Sequence, residues 1–219
     1  GVQFVRRGFI VFCPDARGFG ERQEAASQGD LLAASCQWIN NMAMPLGQTV
    51  TGMWTWDLHR LIDYVGTRED CDAARLGVAG LSGGGLQTLW ASALDERVRC
   101  AVVSGYMYGY KESLLDQHRN CSCNYVPHLY EHVDMGDIAA LIAPRPLLVE
   151  TGSRDGLNGA SGLANVTSQM DIIRSAYRLL GHEDLVYHDV FDGEHRWNGV
   201  EAIPWMERHL LGKEGSSRG

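Results

Sequence analysis

The sequence predicts an α/β fold in which a mostly parallel sheet is flanked by helices on both faces. Short apolar segments that are typical of buried strands alternate along the chain with segments of helical periodicity. A glycine-rich turn joins one such strand directly to one such helix within residues 76–86. Polar residues follow several of the predicted strands, and the carboxyl ends of parallel strands are where such sheets bind ligands.

Five segments are predicted as strands because each is short, apolar and followed by turn-forming residues. The first reads Gly-Phe-Ile-Val-Phe-Cys at 8–13 and ends at the polar turn 14–22. The predicted strands span 8–13, 76–79, 98–104, 147–151 and 185–191.

Helices are predicted where apolar residues recur every three to four positions or where helix-end signals occur. Trp54, Leu58 and Ile62 lie on one face of such a segment. Asp30 is a candidate cap for an earlier helix that Pro45 closes. The predicted helices span 30–44, 54–65, 86–94, 134–142, 166–180 and 200–211.

The composition is that of an ordinary globular protein. The 219 residues are 45% hydrophobic and 21% charged, which is enough for one sizeable core, so we expect a single domain over 1–219. The net charge of −8 argues against nucleic acid and anionic membranes as partners. No apolar run approaches the ~20 residues that span a bilayer. The six scattered cysteines favour free thiols in a reducing compartment, so a cytoplasmic location is expected.

The turn at 80–84 reads Gly-Leu-Ser-Gly-Gly and matches the pattern G-x-S-x-G. Between a strand and a helix, this pattern is typical of a nucleophile elbow, in which a strained backbone exposes the hydroxyl of Ser82. The N–H of Gly83, at the helix N-terminus, would then face a developing oxyanion. The alternative is an ordinary strand-to-helix turn that happens to contain a serine.

Ser82, Asp155 and His195 each follow a predicted strand, in that order along the chain. A serine hydroxyl is a weak nucleophile until a base removes its proton, which neutral His195 would do. Asp155 would orient the imidazole and stabilise its protonated form. Asp192 and Glu194 are rival acids, but they lie in the loop of His195 itself, where reaching its far ring nitrogen is awkward.

These features resemble the dienelactone-hydrolase and acetyl-xylan-esterase-like branch of the α/β-hydrolase superfamily. The resemblance implies an α/β-hydrolase fold, hydrolysis of carboxylic esters through an acyl-enzyme, and no metal or other cofactor. It also implies small-molecule esters as substrates, often acetylated sugars. The segments that carry the resemblance extend over nearly the whole chain and are 14–22, 80–85, 123–127 with 137–148, 152–155 and 193–195.

One departure from this family concerns the N-terminus. In the family, further strands and an oxyanion loop with a His-Gly element precede the strand that corresponds to 8–13. This chain begins almost at that strand, so we expect the N-terminal strands to be lacking and the chain to be N-terminally partial. The sheet would then have a gap of unpaired backbone beside the strand at 76–79, and Gly83 would supply the one predicted oxyanion donor.

Residues 105–133 have no clear period and hold five tyrosines, so they are predicted to form a lid or pocket wall. Cys121 and Cys123 within this segment are metal ligands in kind, as are its three histidines. Their C-x-C spacing is shorter than the usual C-x₂₋₄-C, so no metal is predicted. The histidines are His118, His128 and His132.

Two side chains outside the triad are predicted to contact substrate. Trp197 can stack on a sugar or acyl group. Arg17 can bind an anionic group, although an arginine in a polar turn more often ties its own loop down, here through Asp15. Trp54 is predicted to lie in the core, and Trp56 is predicted to line the site.

The sequence therefore predicts a serine hydrolase that cleaves carboxylic esters. One alternative is a serine peptidase of the prolyl-oligopeptidase type, which shares the motif and the triad order but carries a large extra domain that does not fit within 1–219. Another is a non-catalytic binding protein that keeps the fold. The sequence makes no prediction of oligomeric state.

Overall fold

Four parallel strands form the sheet of the structure, a computed structural model that describes residues 1–25, 35–118 and 120–213. The order of the strands in the sheet is their order along the chain, and each neighbouring pair is parallel. The strands are β1 (Gly77–Leu81), β2 (Cys100–Ser104), β3 (Leu147–Gly152) and β4 (Val186–Phe191).

Helices lie before, between and after these strands. Within the described residues, none of them is both long enough and apolar enough to cross a membrane. The helices are α1 (Val2–Val5), α2 (Cys36–Ala43), α3 (Val50–Gly66), α4 (Gly83–Leu94), α5 (Met135–Ala140), α6 (Leu163–Leu179) and α7 (Ala202–Leu211).

The hydrophobic core lies on both faces of the sheet, because successive side chains of a strand point to opposite sides. Ala101 and Val103 of β2 belong to the larger cluster, with residues of α3, α4, α5 and α6. Cys100 and Val102 belong to a smaller cluster with α7. Every residue of β2 and β3 is buried, as expected for central strands of a parallel sheet.

Most of the predicted elements are confirmed. Each of the four strands predicted from 76 onward has its ends within two residues of the prediction. Helix α3 begins four residues before the predicted start, because the Thr49 side chain accepts a hydrogen bond from the Gly52 N–H at 3.0 Å and caps it. Helix α2 falls within the predicted 30–44, but its proposed cap, Asp30, lies outside the described residues.

The predicted strand at 8–13 is wrong. Residues 9–16 follow an irregular path, and among the described residues no strand pairs with the outer edge of β1. Residues 9–14 instead line a groove of about 630 Å³ together with parts of α3 and β1. An apolar run becomes a strand only when a neighbour accepts and donates its backbone hydrogen bonds. The described sheet thus lacks the N-terminal strands of an α/β-hydrolase, as the sequence predicts.

His188 is a pH-sensitive group within the sheet. It lies on β4, and its Nε2 is 3.0 Å from the Thr151 hydroxyl of β3. Burial lowers the pKa of His188 to about 4, and the positive charge of Arg174 adds to the shift. An unfolded histidine titrates near pH 6.5. Between roughly pH 6.5 and 4 the unfolded chain therefore binds a proton that the folded chain does not, and stability falls as the pH falls.

Replacing His188 with glutamine removes this proton-binding difference. Because of the titration of His188, we expect the wild-type chain to lose up to about 3 kcal/mol of unfolding free energy as the pH falls from 6.5 to 4. His188→Gln should show a shallower pH dependence in urea unfolding monitored by circular dichroism. The exposed His182 provides the control, and His182→Gln should keep the wild-type slope. Equal slopes for His188→Gln and wild type would contradict the assignment.

Candidate active site

Ser82 lies in a sharp turn between β1 and α4, as the sequence predicts for a nucleophile elbow. Its backbone has φ 58° and ψ −119°, a conformation that costs about 1–3 kcal/mol for a residue with a side chain. The Ser82 N–H donates to the carbonyl oxygen of Ser104 at 2.9 Å. The Ser82 carbonyl accepts the first helical hydrogen bond of α4, from Leu86 at 2.8 Å. These two bonds fix the turn on both sides.

Glycines around Ser82 allow β1 and α4 to approach each other closely. A Cβ atom at Gly80 would lie 2.3 Å from the carbonyl carbon of Gly84, and one at Gly85 would lie 2.7 Å from the Ser104 oxygen. Neither contact is compatible with a side chain. Gly80 of the motif and Gly85, which follows the motif, are thus required by the distance between strand and helix, whereas a Cβ atom at Gly84 would meet no neighbouring atom within 4 Å.

His195 and Asp155 form a close pair at the carboxyl ends of the strands. Nδ1 of the imidazole is 2.6 Å from Oδ2 of the carboxylate, whose side chain is only 2% exposed. The other oxygen, Oδ1, accepts a hydrogen bond from the Leu157 N–H at 2.9 Å. A carboxylate held in this way orients the ring and leaves Nε2 as the nitrogen for proton transfer.

The rival acids near His195 are engaged elsewhere or exposed. Asp192 forms an ion pair with Arg154, and its side chain is 82% exposed. Glu194 is also exposed, in the loop between β4 and α7. Of the three acids that the sequence offered, Asp155 is the one that the structure pairs with the imidazole.

The imidazole lies at the same edge of the sheet as the elbow. A Cβ atom at Gly105 would be 3.0 Å both from Cε1 of His195 and from Cδ1 of Leu81, the residue before Ser82. No direct hydrogen bond joins Ser82 and His195 among the described residues. In the absence of substrate, catalytic hydrogen bonds are often long and tighten only in the complex.

A buried carboxylate that the sequence analysis did not single out fixes the loop after His195. Glu150 on β3 is fully buried and accepts the Ser104 hydroxyl at 2.7 Å. It also accepts the backbone N–H groups of Asn198 and Gly199, each at 2.7 Å. The sequence does contain a signal for this role, because an acidic residue lies inside the largely apolar run Leu-Leu-Val-Glu-Thr. A charge buried in such a strand needs several hydrogen bonds.

A cavity of about 390 Å³ opens beside Ser82. Residues of the segment 105–133 form much of its wall, including the buried Tyr106 and Tyr108. Phe19 and Trp54 add two more aromatic rings to the lining. A concave, largely apolar space with some polar groups in its wall is suited to a small organic ligand.

Arg17 binds an acid of the protein itself. Its Nε and Nη2 donate to the two carboxylate oxygens of Asp57, both at 2.8 Å, and Arg22 binds the same carboxylate at 2.9 Å. Burial on its own would raise the pKa of Asp57, but the hydrogen bonds from the two arginines outweigh it and lower the pKa. The loop-tying role is therefore correct in kind, but the partner is Asp57 on α3 and not Asp15. A contact between Arg17 and substrate stays a prediction.

Of the tryptophans considered from the sequence, Trp54 lines the cavity, whereas Trp56 and Trp197 lie elsewhere, and a contact between Trp197 and substrate stays a prediction. Trp197 packs against Phe4, with ring centroids 6.2 Å apart, and its indole nitrogen donates to Gln3 at 3.2 Å, so it does not line the cavity. Trp56 is 57% exposed and does not line the cavity either. Trp54 is buried in the core, as predicted, and is the tryptophan at the cavity.

Three cysteine sulfurs at this end of the molecule form a potential set of metal ligands. The Sγ atoms of Cys36, Cys121 and Cys123 all lie within 4.8 Å of one another. Hydrogen bonds from the thiols of Cys123 and Cys36 lower the pKa of Cys121. In the part of the chain that the structure describes, this group contains none of the three histidines of the segment 105–133. Cys36 lies far away in the sequence, so no spacing pattern could have included it.

Comparisons with known proteins give a relative in sequence and several neighbours in fold. No family model matches the sequence. Over 171 residues the chain is 31% identical to the protein named "Putative hydrolase YtaP" of Bacillus subtilis, a match that covers 76% of this chain and 53% of that protein. The chain thus spans about half the length of the curated relative it matches.

Several solved structures with a similar fold are named as esterases. One is described as a "putative acetyl xylan esterase" from Bacteroides fragilis (TM-score 0.73, 18% identity). The match covers 94% of this chain and 55% of that protein's chain. Another is a family 15 carbohydrate esterase, a glucuronoyl esterase from Caldicellulosiruptor kristjansonii (TM-score 0.65, 19% identity). This match covers 79% of this chain and 55% of that protein's chain.

The parallel sheet, the sharp turn at Ser82 and these solved structures show that the chain has an α/β-hydrolase fold. In sequence it is similar to the protein named "Putative hydrolase YtaP", and its solved neighbours are named as a "putative acetyl xylan esterase" and as glucuronoyl esterases. The resemblance that the sequence motifs predicted is confirmed at this level.

Replacing Glu150 with glutamine should weaken the attachment of the loop after His195. The amide has one acceptor oxygen in place of two, so its nitrogen would face a backbone N–H. We expect a loss of about 2–3 kcal/mol of unfolding free energy in urea titrations. Glu69 is exposed, and Glu69→Gln should change stability by less than about 0.5 kcal/mol. Equal stability of the two variants would contradict this role for Glu150.

Proposed function

We propose that the protein is a serine hydrolase that cleaves carboxylic esters, with Ser82 as nucleophile, His195 as general base and acid, and Asp155 as the residue that orients the histidine. The observation that carries the proposal is the 2.6 Å contact between His195 Nδ1 and the buried Asp155 carboxylate, at the sheet edge where the strained Ser82 turn ends. An imidazole held in this way is ready to accept a proton on Nε2.

The proposed reaction has two halves. In the first, His195 takes the Ser82 proton as Oγ attacks the ester carbonyl, and the alcohol leaves with that proton. The oxyanion formed on the way lies near the N–H of Gly83, where the first turn of α4 has backbone donors without intrahelical partners. In the second half, His195 takes a proton from a water molecule that attacks the acyl-enzyme carbonyl, and it returns this proton to Ser82 Oγ as the carboxylic acid leaves. These steps call for no cofactor.

The proposed substrates are small-molecule esters, including acylated carbohydrates. Solved neighbours are named as a putative acetyl xylan esterase and as glucuronoyl esterases, and the 390 Å³ cavity has room for a small acyl group. Its aromatic wall offers apolar faces on which such a group or a sugar ring can pack. In this proposal, 1–219 is one hydrolase domain and 105–133 is its pocket wall.

A fluorophosphonate probe tests the nucleophile directly, because it labels an activated serine without needing the natural substrate. We expect one label on Ser82 by peptide mass spectrometry, and no label on Ser82→Ala. Ser175, on the exposed side of α6, provides the control, and Ser175→Ala should label at the wild-type rate. Unchanged labelling of Ser82→Ala would exclude the proposed nucleophile, and no labelling of the wild-type chain would favour a binding protein.

The choice of acid can be tested with two asparagine variants. In Asp155→Asn, the amide can donate to Nδ1 and so favour the wrong tautomer, and we expect hydrolysis of p-nitrophenyl acetate to slow by about 10³–10⁴-fold. Asp192→Asn removes an exposed acid paired with Arg154 and should stay within about twofold of wild type. A larger loss in Asp192→Asn than in Asp155→Asn would reassign the acid.

A further inference from the structure

Three cysteines from distant parts of the chain meet beside the cavity at Ser82. Cys36 is the first residue of α2, whereas Cys121 and Cys123 flank the start of a short 3₁₀ turn, Ser122–Asn124, within the segment 105–133. Their sulfurs lie within 4.8 Å of one another, and we refer to them as the three-cysteine cluster. Cys121 and Cys123 also line the cavity, so the cluster is part of its wall.

The backbone that carries the three-cysteine cluster is held by bonds that do not involve the sulfurs. The Thr51 hydroxyl on α3 donates to the carbonyl oxygen of Cys123. The Asn124 side chain donates to the carbonyl oxygen of Cys121 at 2.8 Å. The turn is therefore fixed to α3 by other contacts, and the thiols converge on a framework that is already formed. A preorganised ligand set of this kind lowers the entropic cost of binding.

The dimensions of the cluster suit a tetrahedral thiolate site. With zinc–sulfur bonds of about 2.3 Å, ligand sulfurs in a tetrahedral site lie about 3.8 Å apart. Sulfurs that start within 4.8 Å reach this separation through shifts of about half an ångström each, which small rotations of the side chains provide.

A disulfide accounts for the cluster less well. It would join two sulfurs and leave the third beside them unused, whereas a metal ion engages all three. A divalent cation also offsets most of the charge of three neighbouring thiolates, which would otherwise repel one another.

A second observation near the cluster also points to a ligand. Tyr106 is 2% exposed, lines the same cavity, and its hydroxyl has no hydrogen-bond partner among the described residues. The buried hydroxyl of Ser122, between the two cysteines of the turn, is also unpartnered. Buried hydroxyl groups without partners are uncommon and costly. A hydrated ion held by three thiolates has a fourth position for water, which could supply such a partner.

We propose that the three-cysteine cluster binds a thiophilic divalent cation, with Zn²⁺ as the representative ion, through the thiolates of Cys36, Cys121 and Cys123. Binding releases the thiol protons to solvent and fastens the segment 105–133 to α2. The ion is structural: it secures the wall of the cavity and takes no part in the proton transfers assigned to His195. Its binding can therefore be measured without any assay of hydrolysis.

Cobalt provides the spectroscopic probe for this site. The reduced full chain is treated with a chelator, exchanged into metal-free buffer and titrated with Co²⁺. We expect a thiolate-to-cobalt charge-transfer band in the near ultraviolet that saturates at about one equivalent and is abolished by added Zn²⁺. Zn²⁺ should also raise the thermal midpoint of the chelated protein by several degrees. A wild-type chain without the band overturns the proposal.

Cysteine variants locate the ion. Cys36→Ser and Cys121→Ser should each weaken Co²⁺ binding by about 100-fold or more, and Cys121→Ser decides the matter if Cys36→Ser does not fold. Cys13 and Cys71 lie outside the cluster, and Cys13→Ser and Cys71→Ser should bind as wild type does. A band that persists in Cys121→Ser overturns the proposal. The proposal is also overturned if the unreduced chain has a disulfide within the cluster and the reduced chain gives no cobalt band.

Discussion

Ser82 adopts a left-handed backbone conformation that is unfavourable for a residue with a side chain, and the surrounding structure is arranged to maintain it. The absence of side chains at Gly80 and Gly85 lets α4 approach β1 and β2 closely enough to hold both sides of the turn. The serine side chain therefore projects where β1 ends and α4 begins. Because the helix N-terminus carries unpaired N–H groups, the same constraint places donors beside the hydroxyl.

Strand β3 determines where the imidazole lies. Asp155 follows this strand and contacts the ring, while Glu150 within it accepts the backbone N–H groups of the loop that carries His195. A fully buried carboxylate is stable only when several hydrogen bonds satisfy it. The groups that bond to Glu150 therefore have few other positions that they can adopt. Glu150 also binds Ser104, whose carbonyl accepts the Ser82 N–H. The elbow and the histidine loop are thus attached to the same buried group.

The parts of this structure that the sequence could predict are those determined by local pattern. The elbow follows from glycine spacing, and the chain order of Ser82, Asp155 and His195 follows from their places after strands. The strand predicted at 8–13 failed because strand formation depends on a partner that no local pattern reveals. The Arg17–Asp57 pair and the approach of Cys36 to the turn at 121–123 join residues far apart in the chain, and neither has a spacing signature.

The segment 105–133 shows how a stretch without periodicity becomes a defined wall. Hydrogen bonds within the segment form a helical stretch at Lys111–Asp116 and two short 3₁₀ turns. A side chain of a neighbouring helix adds further bonds to it. Asn165 on α6 accepts the Gly109 N–H at 3.1 Å and donates to the Ser113 hydroxyl at 3.1 Å. The same amide donates to the Asn158 carbonyl at 2.9 Å, in the turn that begins at Asp155. A single buried amide therefore links the wall of the cavity to the turn that begins at Asp155, whose carboxylate contacts the imidazole of His195. Through this amide, the pocket wall and the proposed base are attached to one framework.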